Sequence, residues 1–144
     1  MDKINTLNTN LLTLNNENIL LDKLLENNKI NLLLFYHTNC LGCTGRAIPF
    51  GYEIWRENKE KVNLVVVHVD FSNKNLEKEE IYEIFHDKKP PFEIYRDKNA
   101  AVYEMLACEG TPHWIVLSKD GEVQNSIFGS QENAQMRLRY LVME

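Results

Sequence analysis

Cys40 and Cys43 are separated by Leu41 and Gly42 in the stretch FYHTNCLGCTGRAIPF, residues 35–50. Two thiols at this spacing have three chemical options. They can close into a disulfide and reopen, supply half of a tetrahedral zinc site, or pack as two small apolar side chains. A structural zinc site takes four ligands, usually with a second pair at matching spacing, and Cys108 with His113 does not reproduce that pattern. Inert packing accounts poorly for two cysteines at the start of a helix. Cys108 sits among apolar neighbours, Val102, Met105 and Leu106, and is expected in the core.

The elements flanking the cysteines decide which option has a site. Residues 31–36, NLLLFY, form a short continuous apolar run that suits a strand buried on both faces, in the middle of a sheet. After the cysteines, residues 44–61 carry Ala47, Ile48, Phe50, Tyr52, Ile54 and Trp55 in a helical pattern that ends in solvated charge, with Pro49 expected to kink or restart it. Residues 62–71, VNLVVVHVDF, read as a second buried strand reached through that helix. This strand–helix–strand order places the cysteines at a carboxyl end of the sheet.

The remaining chain supplies the periphery. Residues 75–89 place Leu76, Ile81, Ile84 and Phe85 at helical spacing, with acidic residues early and basic ones late. The acidic run at 77–80 is a solvated face. A short extended segment, 90–97, leads into a helix over 99–110 that stops near Gly110. Residues 113–129 predict a hairpin around Lys119-Asp120-Gly121-Glu122, with the side chains of His113 and Trp114 on opposite faces. A closing helix follows, with Ser130 as its N-cap and Met136, Leu138, Leu141 and Val142 as its apolar positions. Parallel strands followed by an antiparallel hairpin give a mixed central β-sheet with helices on both faces, an α/β fold.

At 144 residues the chain fits one domain, 1–144, with an Asn-rich N-terminal extension over 1–29 and a core over 30–143. The 44% hydrophobic and 26% charged content is that of a globular chain. A net charge of -5 argues against nucleic acid as a partner. The first thirty residues interrupt every apolar pair with Asn, Asp or Lys, so they offer neither a signal-peptide apolar stretch nor a membrane span. A cytoplasmic setting is therefore expected. The alternative is a periplasmic one, for a chain whose leader has been removed.

Taken in order, a strand, C-x-x-C at a helix start, a second strand, Gly110-Thr111-Pro112, the turn KDGEV and Gly129 before the last helix resemble the thioredoxin superfamily over residues 30–143. Within it, the stretch FEIYRDKNAAVYEMLACEGTPHWIVLSKDGEV, 92–123, is most similar to the TlpA-like and redoxin branch. The resemblance implies a thioredoxin-like fold and a thiol–disulfide oxidoreductase that exchanges disulfides with protein substrates. Cys40 would be the nucleophile, because a helix N-terminus stabilises its thiolate and can lower the pKa from about 8.5 to about 3.5–7. Cys43, one turn on, would resolve the mixed disulfide. Thr111 would offer its backbone to the substrate and Pro112, as a cis-proline, would pack beside the sulfurs.

No organic cofactor and no metal is required by this reading. An unidentified electron donor or acceptor is, and in a cytoplasm the reductase direction is favoured. Copper transfer on such a fold would draw on His37, His68 or His113, but goes with three residues between the cysteines. A peroxidase would place a proline before its reactive cysteine that LLFYHTNC lacks. A non-catalytic peptide-binding domain using the Thr111-Pro112 surface is the other alternative. The chain departs from the family at Asn39, where thioredoxins carry Trp, at Leu34, where they carry a buried Asp, and at Arg46, where many TlpA-like reductases carry Glu. Arg46 and His37 are thus the candidates for tuning Cys40. Pro49 also falls one residue later than the family's helix proline, leaving room for an extra residue in the first turns.

Overall fold

Residues 3–71 and 76–143 are described by the computed structural model. Seven strands form one sheet: β1 (Asn10–Leu12), β2 (Asn18–Leu20), β3 (Ile30–Tyr36), β4 (Val62–Val69), β5 (Ile94–Asp97), β6 (His113–Leu117) and β7 (Val123–Phe128). Their spatial order is β2-β1-β5-β4-β3-β6-β7. β3, β4 and β5 are parallel, and the strands outside them pair antiparallel.

The apolar run of β3 is continuous because both of its faces are covered. Leu32, Leu34 and Tyr36 join one core cluster with Cys43, Ile54 and Trp114. Leu33 and Phe35 join the other, with Val65, Val67 and Ile115. The helices α1 (Ile48–Glu57), α2 (Lys78–Tyr82) and α4 (Glu132–Met143) put apolar residues into the first cluster, and α3 (Ala101–Met105) puts Val102 into the second. The expected mixed sheet with helices on both faces is the architecture observed.

Several expectations about the periphery are corrected. The pattern over 75–89 forms an α-helix only at α2, where Glu77 and Glu80 cap each other's backbone, and a separate 3₁₀ turn follows at His86–Lys88; Asn75 lies outside the described residues. Only Ile81 of its apolar residues is fully buried, and Asp87 and Lys88 turn left-handed at φ 54° and 56°, which no helix continues through. The helix over 99–110 shrinks to α3, because Asn99, Ala100 and Ala107 are left-handed too. Cys108 therefore lies outside any helix. Ser130 is not the N-cap of α4, which starts two residues later at Glu132.

The Asn-rich start contributes structure. β1 and β2 form a hairpin whose Leu12 pairs with Arg96 of β5, and Leu11, Leu21 and Leu25 are buried in the second cluster. Gly121, at φ 96° in the β6–β7 turn, accepts the Ile4 N–H on its carbonyl at 2.9 Å. A side chain there would overlap the Ile4 carbonyl oxygen, so glycine is required by both the φ and the close approach.

Candidate redox site

Helical residues run from Leu41 to Glu57, and Cys40 stands immediately before them, at the carboxyl end of β3. Its position is that of an N-cap, and its atoms act as one. The Cys40 carbonyl accepts the N–H groups of Cys43 and Thr44, each at 3.1 Å, and its sulfur accepts the Cys43 N–H at 3.2 Å. Cys40 and Cys43 are joined as a disulfide, with Cα atoms 5.2 Å apart. Cys40 is half-buried, whereas Cys43 is sealed in the first core cluster. An incoming group can reach only the Cys40 sulfur. A bond from a backbone N–H to that sulfur favours its anionic form once the disulfide is reduced.

Residues 43–47 wind as a π turn, closed by Ile48 donating to the Cys43 carbonyl five residues back. This turn absorbs the extra residue implied by Pro49. Because proline has no N–H to give, the α-helical ladder restarts there with Pro49 in its first turn.

The Thr111–Pro112 peptide is cis, and the Thr111 carbonyl oxygen lies 3.4 Å from the Cys40 sulfur. Pro112 is buried, and its carbonyl accepts the Gly129 N–H at 2.9 Å. A Cβ built on Gly42 would sit 2.9 Å from Ser130 Oγ and 3.8 Å from Pro112 Cδ. Gly42 is therefore the residue that lets the two loops close on each other. Four of the sequence-predicted residues, Cys40, Cys43, Thr111 and Pro112, thus meet at one place.

Arg46 and His37 are placed differently. Arg46 is exposed and its Nη1 donates to Gln131 Oε1 at 3.3 Å. His37 accepts the Asn39 N–H on Nδ1 at 3.0 Å, and its ring lies against His68 and Phe71. Burial, then the neighbouring His68, hold its pKa below the usual histidine value. Leu34 is fully buried, so the family's acid position is apolar here. His113 lies on the face opposite Trp114, as alternation requires. It accepts the Glu109 N–H on Nδ1, and its Nε2 donates to Ser126 Oγ at 2.7 Å. Cys108 is half-buried, and burial pushes its thiol up to about 12.

Sequence reading missed a buried polar group beneath the Cys40 loop. His68, Asp70 and Arg96 are each no more than 3% exposed. Their signal was available: His68 and Asp70 alternate at the end of the run 64–70, which is otherwise apolar. Among the described residues no cluster of three His, Cys, Asp or Glu side chains is arranged to hold a metal. Beyond Thr44, an open groove of about 460 Å³ runs between α1 and residues 84–92, lined by Ile48, Pro49, Tyr52, Phe85 and Phe92.

No protein-family model matches the chain, and no curated protein matches it. Solved structures do. A secreted disulfide oxidoreductase of Mycobacterium tuberculosis, homologous to E. coli DsbE, superposes with a TM-score of 0.68 at 16% identity, covering 96% of both chains. The exposed lipoprotein thioredoxin Etrx1 of Streptococcus pneumoniae gives 0.72 at 15% identity, over 94% of this chain and 97% of its own. StoA of Bacillus subtilis gives 0.66 at 16% identity, over 94% and 96%. The chain has a thioredoxin-like fold.

Proposed function

We propose that the protein is a thiol–disulfide oxidoreductase that exchanges disulfides with protein substrates through Cys40 and Cys43. The observation that carries this reading is the asymmetry of the pair: one sulfur is reachable and held by a backbone N–H, and its partner is sealed one turn behind. In the reduced protein the Cys40 thiolate attacks a substrate disulfide. A Cys40–substrate disulfide forms, and the first substrate sulfur leaves as a thiolate that takes a proton from water. Cys43, losing its own proton, then attacks the Cys40 sulfur. The second substrate thiolate leaves, the Cys40–Cys43 disulfide closes, and two electrons have passed to the substrate. Run backwards, the same steps oxidise a substrate dithiol.

Thr111 and Pro112 form the wall on which the substrate backbone docks. Leu41, 88% exposed between the cysteines, gives the partner an apolar contact at the reacting sulfur. Among the described residues no helix is long and apolar enough to cross a membrane. The cytoplasmic setting draws no support from the similar structures, one a secreted protein and another an exposed lipoprotein; the periplasmic alternative is the one they favour. The preference for reduction rested on a cytoplasm and goes with it, so the direction follows from the potential of the couple.

The test is turnover of a protein disulfide with a dithiol reductant. The unmodified protein turns over, and Cys40→Ser abolishes activity. Undiminished turnover by Cys40→Ser rules the mechanism out.

A further inference from the structure

Three strands converge beneath the loop that carries Cys40. Arg96, at the end of β5, donates from Nε to Asp70 Oδ2 at 3.2 Å. Asp70, just past β4, holds His68 Nδ1 with its other oxygen at 2.9 Å. His68 Nε2 accepts the backbone N–H of Thr38 at 3.3 Å. The direction of each bond is fixed. A backbone N–H can only donate, so Nε2 is unprotonated and the ring proton sits on Nδ1, facing the carboxylate.

We propose that Arg96, Asp70 and His68 form a buried brace that positions Cys40 through the Thr38 N–H. This rests on Cys40 being the attacking thiol, as proposed above. Burying an arginine–carboxylate pair is weak evidence for stability, because apolar residues of the same volume often do as well; the geometry here has a different product. Thr38 lies two residues before Cys40, and the Cys40 N–H itself donates to the His37 carbonyl at 3.1 Å. Anchoring Thr38 therefore fixes the turn from His37 to Cys40. That turn sets where the sulfur stands relative to the Cys43 N–H and the Thr111 carbonyl. Arg96 occupies the second oxygen of Asp70, so the carboxylate cannot rotate away from His68, and His68 cannot release Thr38 by turning its ring.

Tyr36 packs edge-on to His68 with ring centroids 5.2 Å apart, and the His37 ring covers it at 4.8 Å. Among the described residues, the titratable and charged groups that meet His68 or its carboxylate partner are Tyr36, His37, Asp70 and Arg96. Among the described residues, Tyr36 Oη and Arg96 Nη2 are buried without a hydrogen-bond partner. His68 is a positioning residue: it acts on Cys40 through the loop, not on the substrate.

The experiment compares His68→Gln, which keeps an acceptor near Nε2, with His68→Leu, which has none. The readouts are the pH profile of Cys40 alkylation in the reduced protein and the melting temperature. His68→Leu is expected to raise the Cys40 pKa and slow its attack at neutral pH by about fivefold, the effect of one ordinary hydrogen bond. His68→Gln is expected to stay within about twofold of the unmodified rate, a fraction of one such bond, even where its melting temperature drops as far as that of His68→Leu. Equal reactivity of the two variants, or unmodified reactivity in His68→Leu, overturns the brace. Should His68→Leu not fold, amide exchange in the unmodified protein decides: the Thr38 amide is expected to be protected, and rapid exchange overturns the brace. A Cys40 that is unreactive in the unmodified protein overturns the oxidoreductase reading and the brace together. A reactive Cys40 indifferent to His68→Leu overturns the brace alone.

Discussion

Cys40 receives the Cys43 N–H on its sulfur at 3.2 Å, while the sulfur of Cys43 is out of reach of solvent. One backbone bond and a difference in burial thus set two chemically identical side chains apart. Alkylation reads that separation directly. In the reduced protein at pH 7, iodoacetamide is expected to modify Cys40 first. Cys43 should lag because it is sealed, and Cys108 because burial pushes its thiol up to about 12. Mass spectrometry of the time course checks the order. Cys108 modified ahead of Cys40 contradicts it.

Gly42 lets the cysteine turn pass under Ser130. Gly42→Ala puts a methyl group 2.9 Å from Ser130 Oγ at a helical φ of -66° that alanine adopts freely, and is expected to destabilise the fold by about 1 kcal/mol, the low end of the usual range for overpacking. Removing the obstacle in Gly42→Ala/Ser130→Gly should recover most of the loss. A denaturant-melt double-mutant cycle measures the coupling; additive effects would show that the contact is not the cause.

Leu41 has no role in the electron balance, only in the encounter. Leu41→Ser should raise KM for a protein disulfide by about threefold to tenfold, the effect of losing one apolar anchor. The rate with a small aromatic disulfide should not change. Equal losses with both substrates would move Leu41 from docking to chemistry.

His113 supplies a pH dependence of stability whose sign is fixed by its bonds. Its Nδ1 accepts the Glu109 N–H, and burial lowers its pKa. The unfolded chain therefore takes up a proton at His113 before the folded chain does. Stability falls as the pH drops below the ordinary histidine value of about 6.5, by at most about 1.4 kcal/mol per pH unit, and levels off below the folded-state value. His113→Gln can make both bonds without titrating and should flatten this limb. The remaining slope includes His37, whose pKa is also lowered. Urea melts between pH 5 and 8, the range over which an ordinary histidine changes charge, test it. An unchanged slope assigns the limb to other groups.

Much of this arrangement was legible because apolar runs and turn residues are local signals. Residues 31–36 and 62–71 announced β3 and β4 by unbroken hydrophobicity, and Lys119-Asp120-Gly121 announced the hairpin. The cysteines needed only their place after β3 to be put at the sheet's carboxyl end. What stayed hidden depends on distant partners. β1 and β2 have three residues each and owe their order to β5 and to Leu11 and Leu21, so Asn-rich sequence around them obscured the pattern. The helix pattern over 75–89 was cut short where the backbone turns extended at Phe85, ahead of the left-handed residues at 87 and 88. The His68–Asp70–Arg96 brace joins residues 26 apart in sequence, so only the parallel pairing of β4 and β5 brings them together. Leu34 and Arg46 stand where the resemblance leads one to expect acids, and the structure buries the first and exposes the second.

The central claim is that Cys40 forms the covalent link to substrate and Cys43 breaks it. Mixing reduced Cys43→Ala/Cys108→Ser with a protein disulfide and mapping the adduct by non-reducing electrophoresis and peptide mass spectrometry tests this most directly. A stable mixed disulfide through Cys40 that only added dithiol releases is expected. No adduct, while the variant remains folded, would contradict it.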